Sequence, residues 1–130
     1  MEKLFNGTSI IGGLVGGFFS YHLGDWDLLL RTLTILVILD FVTGILKGII
    51  NKNLTSKISF VGIAKKVFIF TIVAVGHLLQ QLIGNALPFR EIVIMFYICN
   101  EGLSLLENAA EFIPIPEKIK EALLQLRDKK

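Results

Sequence analysis

Three long apolar runs constrain the fold of this chain more than any other feature of its sequence. They extend over residues 28–50, 67–87 and 92–113. Each has about the 20 residues that a helix needs to cross roughly 30 Å of hydrocarbon. None shows the alternation of apolar and polar residues that is typical of strands in a membrane barrel. The runs therefore predict an all-α integral membrane protein with three or four transmembrane helices.

The composition supports lipid as the surrounding solvent. Charged residues make up 18% of the chain and the mean hydropathy is +0.69, whereas a soluble domain has about 25% charged residues. The net charge of +2 is too small to indicate nucleic-acid binding. The single cysteine, Cys99, excludes an internal disulfide, and only two histidines, His22 and His77, are present. We expect no metal site and no cofactor.

A glycine-rich segment, residues 8–23, precedes these runs. At about 1.5 Å per residue it is somewhat short for a bilayer core. Its four glycines are tolerated in membranes because they allow close helix contact. The segment is therefore a short first span, an interfacial helix or a re-entrant element. The sequence before it lacks the pattern of a signal peptide, so we expect the N-terminus to be retained.

The distribution of charge predicts the orientation. Five lysines and no acidic residue lie between Lys47 and Lys66, which favours the cytoplasm for that loop. The segment Gly24–Asp27 is acidic and contains Trp26, which is typical of the opposite side. A crossing by residues 8–23 gives four spans with both termini in the cytoplasm. The alternative is three spans, with that segment peripheral.

The C-terminal tail has a different character from the rest. We divide the chain into a membrane domain, residues 1–113, and a cytoplasmic tail, residues 114–130. Pro114 and Pro116 stop the preceding helix and allow a new one to start. Apolar residues then recur at helical spacing among lysines and glutamates, which predicts an amphipathic helix. We expect this helix either to be solvated or to dock on anionic headgroups.

Polar residues inside the apolar runs are the candidate functional residues. A charged side chain at the centre of a membrane helix costs about 2.5–3.5 kcal/mol on insertion scales. Asp40, His77 and Glu101 lie near the middle of their predicted spans, so we expect them at similar depth. Candidates for a subunit interface or pore lining are Asp40, Gly44, Lys47, Gly48, His77, Glu101, Ser104, Glu107 and Asn108.

Helical spacing groups these candidates into two faces. Asp40, Gly44 and Lys47 share one face, which Gly48 extends as a possible helix contact. Glu101, Ser104 and Asn108 share another, with Asn100, Glu107 and Glu111 on an adjoining strip. In a monomer such a face is a buried hydrogen-bonded seam; in an oligomer it lines an aqueous path. The number of polar groups favours the oligomer, while His77 alone is more typical of packing.

The third run also carries a family resemblance. Residues 97–108, YICNEGLSLLEN, followed by Ile113–Pro116 and a lysine-rich tail, resemble the toxin-secretion/phage-lysis holin family. Asp40 with Gly44, and then Thr55, Ser56, Gly62 and the Lys65-Lys66 pair, add to the similarity. The resemblance runs from about residue 28 to the end. Phe112 departs from it, because a small residue is expected before the proline segment.

The resemblance implies a non-enzymatic pore former in the bacterial inner membrane. Such a protein oligomerises and permeabilises the membrane, so that an endolysin reaches the peptidoglycan or a toxin is secreted. The residues themselves show no phosphate loop, zinc spacing or nucleophile elbow. Two alternatives remain open at this point. One is a small multi-span transporter that uses Asp40 or Glu101, and the other is an accessory membrane subunit without a pore.

Overall fold

The computed structural model describes residues 6–128, and within them the only regular elements are α-helices. In chain order these are α1 (Gly7–Leu23), α2 (Leu28–Ile50), α3 (Ser56–Leu82), α4 (Phe89–Ala110) and α5 (Glu117–Asp128). The expectation of an all-helical protein is confirmed. The number of membrane crossings stays a prediction.

Three helix starts follow from side chains that cap the helix. Asn6, Asp27 and Thr55 each accept a hydrogen bond from the backbone N–H three residues later, at the starts of α1, α2 and α3. Such a cap satisfies a backbone donor that has no partner within the helix. These polar residues therefore separate the apolar segments into distinct helices.

The helix bounds agree with the sequence in α2 and differ most in α3. Helix α3 begins at Ser56, whereas the apolar run begins at residue 67. The lysines at its start resemble a loop by composition. Thr55 nevertheless caps the helix, and the side chain of Lys66 turns into the bundle. The lysine-rich segment is therefore mostly helix, and the loop before it is only the short stretch 51–55.

Among the described residues, α2 and α3 are long and apolar enough to cross a bilayer. Helix α1 has 17 residues, about 25 Å of helix, which is less than a bilayer core. Helix α4 has 22 residues but carries Arg90, Glu91, Glu101 and Glu107. Length and apolar composition alone therefore do not identify α1 and α4 as spans.

Helix α4 is the centre of the bundle. It packs against α2, α3 and α5, whereas α2 and α3 make few contacts with each other and α1 contacts α3. The buried core lies between α2, α3 and α4 and consists of Leu30, Leu33, Val37, Val73, Ile94 and Ile98. This arrangement makes α4 the element on which side chains from its neighbours converge.

Helix α1 presents an apolar surface that the rest of the chain leaves uncovered. None of its residues is buried, and Leu14 is 70% exposed. A Cβ atom added at any of its glycines would meet nothing within 4 Å. An apolar surface of this extent needs lipid or another protein chain to cover it.

The tail helix α5 folds back along α4. The Leu123 side chain lies 3.1 Å from the position that a Cβ atom would take on Gly102. The sequence predicts a solvated or headgroup-bound tail. In the structure part of its apolar face packs on α4, where Gly102 leaves space for Leu123. The surroundings of the rest of the helix stay a prediction.

Candidate functional site: a charged cluster between three helices

One lysine joins two carboxylates inside the bundle. The Lys66 ammonium on α3 donates to Asp40 Oδ2 on α2 at 2.5 Å. It also donates to both carboxylate oxygens of Glu101 on α4, at 2.9 and 2.8 Å. We call Asp40, Lys66 and Glu101 the charged cluster. It ties together the three helices that form the core.

Asn108 extends the charged cluster along α4. Its amide Nδ2 donates to Asp40 Oδ1 at 3.1 Å, to the Asp40 carbonyl oxygen at 3.3 Å and to Thr43 Oγ1 at 3.1 Å. Asp40 is thus held by α3 on one side and by α4 on the other. This is the hydrogen-bonded seam that the spacing of α4 allows in a single chain.

Burial makes the pairing within the cluster necessary. Asp40 and Glu101 are only 6% and 4% exposed. An unpaired charge in such a site carries a desolvation penalty of several kcal/mol. Lys66 offsets this for both carboxylates, yet two acids and one ammonium leave one negative charge unbalanced when all three are ionised. A nearby positive charge would therefore stabilise the cluster, and a nearby negative charge would destabilise it.

Two cavities adjoin the cluster. One of about 190 Å³ lies between α2 and α3, and another of about 390 Å³ lies between α3 and α4. Asp40, Lys66 and Ser104 line both of them. The larger cavity also contains Glu101 and Asn100. Water entering either cavity would reach the charged groups directly.

Four of the predicted residues converge at this point, and two others lie close by. The seam contains Asp40, Glu101, Ser104 and Asn108. Gly44 faces Asn108, and a Cβ atom added to Gly44 would lie 3.8 Å from Asn108 Nδ2. Gly48 is buried against Leu54 of the following loop. A Cβ atom added to Gly48 would lie 3.2 Å from the Leu54 side chain. The glycine pair of α2 is thus occupied by contacts within the chain.

The remaining predicted residues of this half lie at the surface. Lys47 pairs with Glu111 at 3.4 Å, and both side chains are substantially exposed. Glu107 is exposed and lines a cavity between α4 and α5. An exposed ion pair contributes about 0–1 kcal/mol, so Lys47 and Glu107 add little to the seam.

The expectation that His77 lies level with Asp40 and Glu101 is wrong. The ring of His77 lies beside Gly24, at the opposite end of the bundle. A Cβ atom added to Gly24 would lie 3.1 Å from His77 Cε1. Because α3 begins at Ser56, Lys66 takes the level that the sequence assigned to His77. The two positions are about 16 Å apart along the helix axis. His77 Nδ1 is buried there, with no hydrogen-bond partner among the described residues.

A buried cation at the other end of the bundle, Arg90, anchors the loop between α1 and α2. Its side chain is 4% exposed and donates to the carbonyl oxygens of Leu23 at 2.6 Å and Asp25 at 2.7 Å. It also donates to both Asp27 carboxylate oxygens, at 2.8 and 3.3 Å. This hydrogen bonding lowers the pKa of Asp27 below its ordinary value. The contacts connect the loop before α2 to the start of α4.

Gly24 makes this approach possible. Its φ of +86° is in the left-handed region, and a Cβ atom there would lie 2.6 Å from Arg90 Nε. Any other residue would therefore be strained and would also displace the guanidinium. Gly24 and Arg90 form a matched pair at this end of the bundle.

The half-buried Lys66 and the buried Arg90 were not predicted to contact the core, although a helical signal exists for each. Lys66 is seven residues before Val73 and so shares its helix face, and Val73 is fully buried. Arg90, Ile94 and Glu101 likewise fall on one face of α4. In both helices the cation continues the line of core residues. Composition alone places these cations at the membrane boundary instead.

Comparisons with known proteins identify a family for this chain. The bacteriophage holin family matches residues 17–128. A Clostridium perfringens protein, described as an uncharacterised 14.9 kDa protein in the nagH 3′ region, is 43% identical over the full length of both chains. A probable holin of Bacillus phage phi105 is 33% identical over 72% of this chain and 70% of its own length. No solved structure matches.

The family match and the two long apolar helices together support a membrane protein. The match begins within α1 and extends through α5, so it includes the charged cluster and the Arg90 anchor. The chain belongs to the bacteriophage holin family.

Proposed function

We propose that this chain is a phage holin that assembles into a homo-oligomer in the bacterial cytoplasmic membrane. The assembly forms lysis pores through which an endolysin, or a secreted toxin, passes. Membership of the holin family and the uncovered apolar surface of α1 support this proposal. The protein acts by forming a pore and uses no cofactor.

The charged cluster is the observation that carries the proposal. Helices with apolar outer surfaces hold Asp40, Lys66 and Glu101 between them, next to two cavities. In one protomer Lys66 satisfies both carboxylates. When protomers associate and these helices separate, the same charged faces supply the polar lining that a water-filled pore requires. The side chains that would line the pore are thus buried between the helices of the single protomer.

The proposed topology has four crossings, with both termini in the cytoplasm. The short loop 51–55 and the lysine-rich start of α3 lie inside, and the Arg90-anchored loop with Asp25 lies outside. Single cysteines in a Cys99→Ala background test this in intact cells. A cysteine at Asp25 should react with a membrane-impermeant thiol reagent, whereas one at Lys52 should not. An N-terminal reporter on the outside would contradict four crossings and favour three.

Expression in a bacterium tests the pore itself. A holin should stop growth abruptly and depolarise the membrane, and a co-expressed endolysin should then lyse the cells. A small multi-span transporter that uses Asp40 or Glu101 is the alternative, since a cavity adjoins both carboxylates. It would give substrate-dependent flux without lysis. An accessory subunit would have little effect alone, and either outcome would exclude the lysis pore.

A further inference from the structure

A basic groove lies on α3, next to the two cavities of the charged cluster, and shares Lys65 with the larger of them. It has a volume of about 650 Å³ and is lined by Thr55, Lys57, Ile58, Val61, Gly62 and Lys65. Its lining contains no acidic side chain. Among the ion pairs of residues 6–128, none includes Lys57 or Lys65. Two lysines without an ion pair therefore line the same groove, and one of them, Lys65, also lines the cavity that contains Glu101.

The groove combines these charges with an apolar floor. Lys57 and Lys65 are eight residues apart, about 12 Å along the helix axis. Ile58 and Val61 lie between them in sequence and are 57% and 42% exposed. Lys57 also lies in the first turn of α3, where the helix dipole favours a negative charge. A ligand that fits this groove has an anionic head and an apolar body.

We propose that this groove binds one anionic phospholipid, with its phosphate between Lys57 and Lys65 and an acyl chain along Ile58 and Val61. A free phosphate ion would satisfy the charges and leave the apolar floor bare. The long lysine side chains can extend along the apolar surface and still place their ammonium groups at the headgroup level. The groove opens on the surface of α3, which is long and apolar enough to span a bilayer. In a bilayer this surface would contact lipid.

Lipid retention measured by native mass spectrometry tests this site. The full-length protein is purified in mild detergent and mixed with phosphatidylglycerol and phosphatidylcholine that have the same acyl chains. The wild type should retain one phosphatidylglycerol in preference to phosphatidylcholine. Since a lysine near a membrane surface contributes about fivefold in affinity for anionic lipid, Lys57→Gln/Lys65→Gln should lower that preference roughly 25-fold.

Matched variants separate this groove from basic charge in general. Lys118→Gln/Lys120→Gln removes two lysines from α5, outside the groove, and should keep the wild-type preference. Lys57→Arg/Lys65→Arg should keep it too, because both positive charges remain. Ile58→Ser/Val61→Ser should weaken retention of phosphatidylglycerol, since it removes the contact with the acyl chain. If the double Gln variant loses its helical circular dichroism, each single Gln variant should show about a fivefold loss.

Several outcomes would overturn the site. Equal retention of the two lipids by the wild type would show that no anionic headgroup is selected. An equal loss in the Lys118 and Lys120 control would assign the effect to overall charge. Displacement of the lipid by millimolar inorganic phosphate would show that the groove binds anions in general. Unchanged retention in Ile58→Ser/Val61→Ser would show that the acyl chain does not contribute to binding.

Discussion

Lys66 Nζ on α3 lies 2.8 Å from Glu101 Oε2 on α4. The same ammonium also binds Asp40 on α2, so a single side chain satisfies two buried acids from two other helices. The relationship is asymmetric, because each acid can lose its charge and leave the other paired, whereas loss of the lysine leaves two acids unpaired. Lys66 is therefore the one side chain that neutralises charge on both acids.

Replacing this lysine should be strongly destabilising. In Lys66→Met, Asp40 and Glu101 remain buried without a cation, and removing one partner of a buried ion pair costs about 3–5 kcal/mol. The free energy of unfolding in mixed micelles, measured by denaturing-detergent titration, should fall by that order.

The adjacent lysine provides the control for this substitution. Lys65 is exposed and outside the charged cluster, so Lys65→Met should change stability little. Adding Glu101→Gln to Lys66→Met should recover part of the loss, since it removes one unpaired charge. Equal stability of the two Met variants would show that the cluster does not hold the helices together.

Neutralising Glu101 should alter lysis while leaving the protein in the membrane. Glu101→Gln keeps the shape and the hydrogen-bonding capacity of the side chain, and Lys66 still pairs with Asp40. If the polar face of α4 lines an assembled pore, the substitution removes a charge from the wall and changes the onset of lysis. Onset is measured with co-expressed endolysin at equal membrane levels of protein.

Glu107→Gln is the matched control, because Glu107 is exposed on the same helix and outside the cluster. It should lyse with wild-type timing. Glu101→Leu should shift onset as Glu101→Gln does and also lower stability. Wild-type onset for both Glu101 variants would assign this residue to packing within one protomer.

Substitution of Arg90 should loosen the loop between α1 and α2. Arg90→Lys keeps the charge but cannot reach Asp27 and the carbonyl oxygens of Leu23 and Asp25 together. A buried acceptor left without a donor costs about 1–3 kcal/mol. A cysteine at Asp25 should react faster with thiol reagents in this variant. Arg31→Lys, at an exposed arginine of α2, should leave that rate unchanged.

The ion pair of Arg90 with Asp27 should also contribute to stability in a pH-dependent way. The hydrogen bond from Arg90 lowers the pKa of Asp27 below 3.8, its ordinary value. A depressed carboxyl pKa adds stability above the unfolded-state value, and this stability is lost as the pH falls through the folded-state value. The stability that this pair contributes should therefore be fully present and independent of pH near neutral pH, and it should decline below about pH 4.

Asp27→Asn isolates this contribution. The variant should be less stable than the wild type at neutral pH, and the difference should shrink as the solution is acidified below the ordinary Asp pKa. The Asp27 side chain is 40% exposed, so solvent and salt reduce the effect. A constant difference between the two proteins from neutral to acidic pH would contradict the pairing.

The glycines of α1 should affect self-association more selectively than those of α2. Gly12 and Gly16 face open space, so Gly12→Leu/Gly16→Leu should leave the protomer folded and weaken oligomers in mild detergent. Gly48→Leu should destabilise the protomer instead, because Leu54 occupies that space. Sedimentation and thermal unfolding distinguish the two effects. An unchanged oligomer in the α1 variant would place the interface elsewhere.

The sequence alone determined the helical class and most of the helix positions. The run at residues 28–50 coincides with α2, because an apolar segment of that length satisfies its backbone polar groups best as a helix. The spacing of Glu101, Ser104 and Asn108 also identified the polar face of α4 without any coordinates. These features depend on residues near one another in the chain.

The tertiary structure decided which charges are paired. Lys65 and Lys66 are identical in chemistry, and only the register of α3 against α2 and α4 places Lys66 against two carboxylates. The role of Arg90 likewise depends on the carbonyl oxygens of Leu23 and Asp25, more than sixty residues earlier in the chain. Hydropathy assigns lysine and arginine to the boundary of a membrane helix. An ion pair with a carboxylate inside the bundle outweighs the preference for the boundary. Packing between the helices determines where that carboxylate lies.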